Sequence, residues 1–382
     1  MKSRIIYGLL IFLSIILFYS NANAKSYAWV IDSSKAYKLD VASNKIIQTI
    51  TLKEEFESSV VLQDWEDAIV ADVGNNLLFV IYDRGTFMGQ GVKVYNLKDL
   101  SFKKDLAITS NDPDFNLPKI IAPPVGNKFY VIWWDESKAV NFEGGETYSV
   151  YDKTTLNKIS DLPSFPINLY RHYMFSSNGS KIYSIDVDTN EIKVYDSITL
   201  QLLETISIAS IWGTPMYAKV VESETTFLGT GDKLLFSENL KNIETDPNNV
   251  KYFVYYFGTK TISNKIAIPG VSEKALSPDG SKIIANEIAY IYRSPQVVSE
   301  VKFLNKIHIY DIASGQRIKY FDLNDKYKGV GIMGISPDSF KLYLAGAPPQ
   351  TDISTLIVID LKDTLSIVAE IPIGGWLIFF DE

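Results

Sequence analysis

The sequence predicts an all-β chain folded as a seven-bladed β-propeller of four-stranded antiparallel blades. Two repeated phrases and the character of the chain ends predict it. The first phrase is an alternating apolar segment that closes on a large apolar residue followed by Asp. It appears as Tyr37-Lys38-Leu39-Asp40, Lys93-Val94-Tyr95-Asn96, Ser149-Val150-Tyr151-Asp152, Lys193-Val194-Tyr195-Asp196, Phe253-Val254-Tyr255-Tyr256, His308-Ile309-Tyr310-Asp311 and Ile357-Val358-Ile359-Asp360. The second phrase is a Gly turn followed by Lys and an apolar pair, fullest in Asn178-Gly179-Ser180-Lys181-Ile182-Tyr183 and Asp279-Gly280-Ser281-Lys282-Ile283-Ile284. The phrases return every ~50 residues with no helical periodicity between them, the spacing of a propeller blade.

Each unit reads as four strands, A to D. Strand A leads into the Asn-Gly or Asp-Gly turn, where positive φ suits a two-residue hairpin. Ser277-Pro278 and Ser336-Pro337 end strands A of blades 6 and 7. Strand B carries Lys-apolar-Tyr. Strand C ends in Tyr-Asp. Strand D follows a polar turn such as Ser197-Ile198-Thr199 or Ala313-Ser314-Gly315. Two blades depart from the pattern. Blade 7 has Ser339 in place of the turn Gly, and blade 5 lacks both the Gly turn and the Asp. Tyr27-Ala28-Trp29-Val30-Ile31 has no strand A before it, and Trp376-Leu377-Ile378-Phe379-Phe380 has no partner after it. The last segment is therefore expected to supply strand A of blade 1, leaving no open blade edge.

The Ser-Pro-Asp-Gly-x-Lys and Tyr-Asp repeats resemble the YVTN-type β-propeller repeat, and are similar to the superfamily that holds the heavy chains of amine dehydrogenases. The resemblance spans essentially all of residues 25–382. It implies architecture more than activity, since such blades host many functions. Among the settings it implies are exported bacterial proteins, cell-surface proteins and subunits of periplasmic redox complexes.

The N-terminus reads as a targeting segment, residues 1–24. Lys2 and Arg4 precede an apolar run over 8–18, and Ala22-Asn23-Ala24 is a small-x-small cleavage site. The expected mature chain is a single propeller domain, residues 25–382. No second apolar stretch is long enough to cross a bilayer. The expected location is therefore periplasmic or extracellular, in a bacterium. Cysteine is absent and there are two histidines, which leaves thiolate, haem-thioether, zinc and copper sites without ligands. No cofactor and no metal is expected. A formal charge of -8 argues against nucleic acid as a partner. With 46% hydrophobic residues the chain has material for a large core, so disulfides are not needed.

Function is expected at one end of the blades. A–B and C–D turns are short throughout. The B–C connections are long in blade 2 (84–91), blade 3 (135–147), blade 5 (237–250), blade 6 (287–305) and blade 7 (346–354). Irregular length on a rigid scaffold is where binding usually resides. The D–A connections enter at the same end with Trp65, Glu66 and Asp67 in blade 2, Arg171 and His172 in blade 4, Trp212 in blade 5, Glu273 and Lys274 in blade 6, and Trp376 in blade 1. These nine are the candidate binding residues, a ring at the channel mouth. Trp65, Trp212 and Trp376 also suit packing between blades. Glu66, Asp67, Arg171 and His172 are the candidate catalytic groups, though an ion pair or a structural His accounts for them equally. His308 is expected to be packed in a strand C.

No P-loop, Gly-x-Ser-x-Gly elbow or EF-hand spacing occurs. The leading expectation is thus a non-catalytic exported propeller that binds a protein, peptide or glycan. The alternatives are a heavy-chain-like subunit of an amine dehydrogenase-type complex, with its redox centre on another chain, and a lactonase or lyase working at the channel mouth.

Overall fold

The computed structural model describes residues 25–32, 35–52, 69–83, 90–110, 118–134, 138, 146–165, 173–186, 189, 191–208, 211, 229–238, 251–268, 272–294, 297–351 and 354–381. Within them the chain forms seven antiparallel sheets, the blades of a seven-bladed β-propeller. Strands A to D of blade 1 are Trp376–Asp381, Ser26–Ile31, Lys35–Asp40 and Lys45–Thr51. The C-terminal strand is thus hydrogen-bonded to the first strand of the described chain, as the unpartnered ends require. Blade 2 is Ile69–Asp72, Leu77–Asp83, Gln90–Asn96 and Phe102–Ser110. Blade 3 is Lys119–Ile121, Lys128–Trp134, Glu146–Asp152 and Lys158–Leu162. Blade 4 is Tyr173–Phe175, Lys181–Asp186, Glu191–Asp196 and Leu202–Ser207. Blade 5 is Gly229–Thr230, Lys233–Glu238, Lys251–Tyr256 and Thr261–Ile262, with Ile266–Ala267 also pairing with its strand C, and contrary to expectation its A–B turn does hold a glycine, Gly231 at φ 58°. Blade 6 is Ser272–Leu276, Lys282–Ser294, Val297–Asp311 and Gln316–Asp322. Blade 7 is Lys328–Ile335, Lys341–Ala347, Thr355–Asp360 and Ile367–Ile371.

The chain divides into two compact units, Ile16–Thr214 with Ile378–Glu382, and Pro215–Leu377. In the first, Phe79 and Phe129 meet at 4.8 Å between blades 2 and 3, inside a cluster with Ile81, Val94, Val131 and Tyr151. In the second, Ile284, Ile307 and Ile309 of blade 6 pack on Ile332, Leu342 and Leu344 of blade 7. Period-two alternation puts such residues on both faces of each sheet. Each fully buried large side chain contributes ~1.5–3 kcal/mol.

The Tyr-Asp phrase has a local cause. The Asp carboxylates accept the backbone N–H three residues on, at 2.7 Å in Asp40–Ser43, Asp152–Thr155, Asp196–Thr199 and Asp311–Ser314. The Ser or Thr hydroxyl donates to the same oxygen. The residue after it takes positive φ: Asn44, Leu156, Leu200 and Gly315, with Leu100, Lys260 and Leu365 at the matching place in blades 2, 5 and 7. Leu in that region is strained by ~1 kcal/mol, and burial of Leu100 and Leu156 offsets it. The A–B turn is longer than the two-residue hairpin expected from Asn-Gly. Ser176 N–H donates to Lys181 O, and Gly179 N–H to Ser176 O, with Gly179 at φ 69°. Ser339 adopts φ 64° in blade 7 and its hydroxyl accepts from Asp279 N–H at 2.9 Å. That bond to blade 6 is what the departure from Gly provides.

Candidate functional site

The two ends of the blades differ. At the A–B and C–D end, turns are short and their polar groups are satisfied within the repeat, as described above. At the other end, strands B and C of blade 6 run far beyond their neighbours. Strand A reaches Glu287 of strand B, through the pair Ser272↔Glu287, and strand D reaches Lys306 of strand C, through Lys306↔Asp322. Past those points strands B and C pair only with each other among the described strands, from Ile288↔Phe303 through Tyr290↔Val301 to Ser294↔Val297. The segment 287–305, expected as a loop, is therefore mostly a two-stranded ribbon. Residues 288–294 and 297–304 instead continue strands B and C of blade 6 and pair with one another.

The root of the ribbon carries the most concentrated polar chemistry described. On one face, His308 is 2% exposed. Its Nε2 lies 2.6 Å from Glu287 Oε1, and Arg317 donates to its Nδ1 at 3.1 Å. Nδ1 must accept from the guanidinium, so Nε2 carries the proton and donates to Glu287. Burial pushes the His308 pKa down, against the pull of Glu287, and Arg317 and Lys306 add to the lowering. Tyr310 and Tyr320 flank the ring. Both nitrogens are engaged, so the imidazole is fixed as a structural group, and it is buried as expected.

On the opposite face, toward blade 7, Glu273, Asn286 and Asn305 hold the backbone of blade 7's strand A and the residue before it. Asn305 Nδ2 donates to Tyr327 O, and Val330 N–H donates to Asn305 Oδ1, both at 2.8 Å. Asn286 Nδ2 donates to Val330 O at 2.6 Å and to Glu273 Oε2 at 3.3 Å. Ile332 N–H donates to the same Oε2 at 2.9 Å. Strand A of blade 7 is irregular here, with positive φ at Gly329 and register shifts near Gly331 and Gly334, so these side chains stand in for a regular ladder.

Of the nine expected binding residues, the structure describes the side chains of two. Glu273 and Lys274, expected in the connection that enters blade 6, are part of a strand. Both lie within strand A of blade 6, where alternation sends them to opposite faces. Glu273 is 7% exposed and its carboxyl is pushed up to about 7, chiefly by burial. Lys274 Nζ donates to Ser272 O and lies 4.5 Å over the Tyr252 ring. Trp376 opens the C-terminal strand. Its side chain, and Trp65, Glu66, Asp67, Arg171, His172 and Trp212, lie outside the described residues. Sequence reasoning missed Asn286 and Asn305. The available signal was their place in apolar alternation, at positions whose neighbours two residues away, Ile284 and Ile307, are core residues.

A buried ion pair was also missed. Lys153 Nζ lies 2.6 Å from Asp72 Oδ2, with the side chains 1% and 0% exposed, and it also donates to Pro123 O. It joins blades 2 and 3 at the short-turn end, a position that favours stability over chemistry. Among the described residues no cluster of three or more His, Asp or Glu is arranged to hold a metal ion, and no helix is long and apolar enough to cross a membrane.

No family model matches the chain, and no curated protein matches it. Solved structures do resemble it. The hydrazine synthase of Kuenenia stuttgartiensis is 16% identical, over 81% of this chain and 86% of that one, at a TM-score of 0.43. The dihydro-haem d1 dehydrogenase NirN is 11% identical, over 92% and 74%, at 0.46. The periplasmic gluconolactonase of Pseudomonas aeruginosa is 12% identical, over 94% and 99%, at 0.48. At these values the similarities carry no functional argument. The assignment as a seven-bladed β-propeller rests on this chain's own strand order.

Proposed function

We propose that this protein is an exported, non-catalytic β-propeller that binds a protein partner, taking an extended segment of it against the B–C end of the blades. The observation that carries this reading is the blade 6 ribbon. Its strands continue past the four-stranded blade, so that their outer edges meet no other described strand over 288–294 and 297–304. Unpaired N–H and C=O groups along such edges are what an extended segment adds to. The described titratable groups beside it, Glu273 and His308, are already committed to internal hydrogen bonds, which supports binding over catalysis. Export rests on the features of residues 1–24.

The test is a pull-down with residues 25–382 from native periplasm or culture supernatant, run beside a variant in which 288–304 is replaced by a short turn. Circular dichroism and melting must show that the variant keeps the fold. A stoichiometric partner retained by the full chain and lost by the variant supports the reading. A partner held equally by both removes the ribbon from the site, and the absence of any partner together with a chemical activity on small-molecule substrates overturns the function.

A further inference from the structure

At the seam between blades 6 and 7 a buried acceptor goes unmet. Asn286 is fully buried, and its Oδ1 accepts no hydrogen bond among the described residues. The amide cannot be turned over, because Nδ2 already faces two acceptors, Val330 O and Glu273 Oε2. A carbonyl buried without a donor carries a cost like that of a lost hydrogen bond. Beside it stands Glu273, 7% exposed, with one oxygen taken by Asn286 Nδ2 and Ile332 N–H.

We propose that Glu273 is a neutral carboxylic acid in the folded protein, that its proton is donated to Asn286 Oδ1 to close a cyclic acid–amide pair, and that ionising this acid unfastens the root of the blade 6 ribbon from blade 7. Desolvation raises the carboxyl to about 7, while the bonds from Ile332 and Asn286 and the charge of Lys274 pull the other way. Among the groups that act on Glu273, Lys274 is the one charge. It lies on the same strand but on the other face, over Tyr252. Strand B presents the uncharged Asn286, and strand A of blade 7 presents a backbone N–H. Once ionised, the carboxylate keeps Ile332 N–H but sets oxygen against oxygen at Asn286 Oδ1. Asn286 directly precedes the residue where strand A pairing ends, and Asn305 lies two residues before Ile307, the cross-strand partner of Asn286, so the loss falls on the ribbon root. This holds whatever the ribbon binds.

The sign follows from linkage. The folded protein holds this proton more tightly than the unfolded chain, so the stabilisation is complete below the ordinary glutamate range. It is lost as pH rises from there through about 7. Glu273→Gln replaces the acid O–H with a permanent N–H donor. The experiment compares melting of wild type and E273Q from pH 4 to pH 8, together with hydrogen exchange at the Ile332 amide corrected for intrinsic rate. The expected result is equal melting at pH 4, a higher melting temperature for E273Q at pH 8, and Ile332 opening about tenfold more often at pH 8 than at pH 6 in wild type alone. Parallel pH profiles, or E273Q less stable at pH 8, overturn the proposal. Should E273Q not fold, a carboxyl carbon NMR titration of wild type decides. Glu273 protonated at pH 6 supports the proposal, and Glu273 ionised there overturns it.

Discussion

Lys153→Met tests whether the short-turn end is held by electrostatics or by packing. Methionine keeps most of the aliphatic volume and removes the ammonium. The ammonium lies 2.6 Å from Asp72 Oδ2, with both side chains essentially closed to solvent. Burial pushes the Asp72 carboxyl up and the Lys153 amine down, and each partner's charge opposes that shift in the other. Without Lys153 the carboxylate keeps only the donors of Asn75, at 3.0–3.3 Å. Breaking one partner out of such a pair costs about 3–5 kcal/mol. With an unfolding entropy of ~2.1 cal/mol/K per residue over 382 residues, the melting temperature falls by ~4–6 °C. Adding Asp72→Asn removes the stranded charge while keeping an acceptor for Asn75 N–H, and recovers ~2 kcal/mol or more. The assay is denaturant unfolding of the wild type, both single variants and the double variant at pH 7. The K153M deficit also shrinks as pH falls, because a buried carboxyl without its cation favours its neutral form. A K153M cost below ~1 kcal/mol, or a double variant equal to the sum of the singles, refutes an energetically coupled pair.

Four further outcomes follow from the turns and the ribbon root. Ser339→Ala keeps positive φ and loses the bond from Asp279 N–H, so urea unfolding shows a loss of ~1–2 kcal/mol, while Ser339→Gly relieves the backbone and stays within ~1 kcal/mol of wild type. Gly280→Ala destabilises by ~1–3 kcal/mol in the same assay, since the new Cβ lies 2.3 Å from Lys233 Cδ at φ 69°. His308 stays neutral at neutral pH by NMR titration, and its contribution fades as pH falls below the ordinary histidine range, because its pKa is lowered. At lower pH, below the ordinary aspartate range, the turn aspartates Asp40, Asp196 and Asp311, all lowered chiefly by bonds to the turn residues three positions on, lose their hold on the C–D turns, which acid unfolding monitored by circular dichroism reads.

What could be read from the sequence divides along a physical line. The Tyr-Asp and Gly-turn phrases are local instructions, each completed within a few residues by hydrogen bonds such as Asp196 to Thr199. A repeat of local instructions announces itself without tertiary knowledge. The pairing of Trp376–Asp381 with Ser26–Ile31 was also readable, because an apolar strand without a partner has to find one. Glu273 is expected in the connection into blade 6 from its place between strands D and A, yet it is a buried residue of strand A itself. Its burial is set by Asn286, 13 residues on, and by Ile332, 59 residues on, and no local pattern encodes that meeting. The same holds for Asp72 and Lys153, brought together across two blades.

The blade 6 ribbon shows how the two kinds of information join. The pairing of its two strands is local in sequence. Its fastening is not. Asn286 and Asn305 occupy core-facing positions at its two sides and hold Tyr327 and Val330 of the next blade by their amides. An apolar pair there would pack but would leave the irregular backbone of Gly329–Gly331 without partners, whereas two amides supply donors and an acceptor in a fixed register. A specified polar root beneath an extension that the blade itself does not require is therefore a departure of the described chain from its own repeat. That is the physical reason behind the proposal of a binding role there.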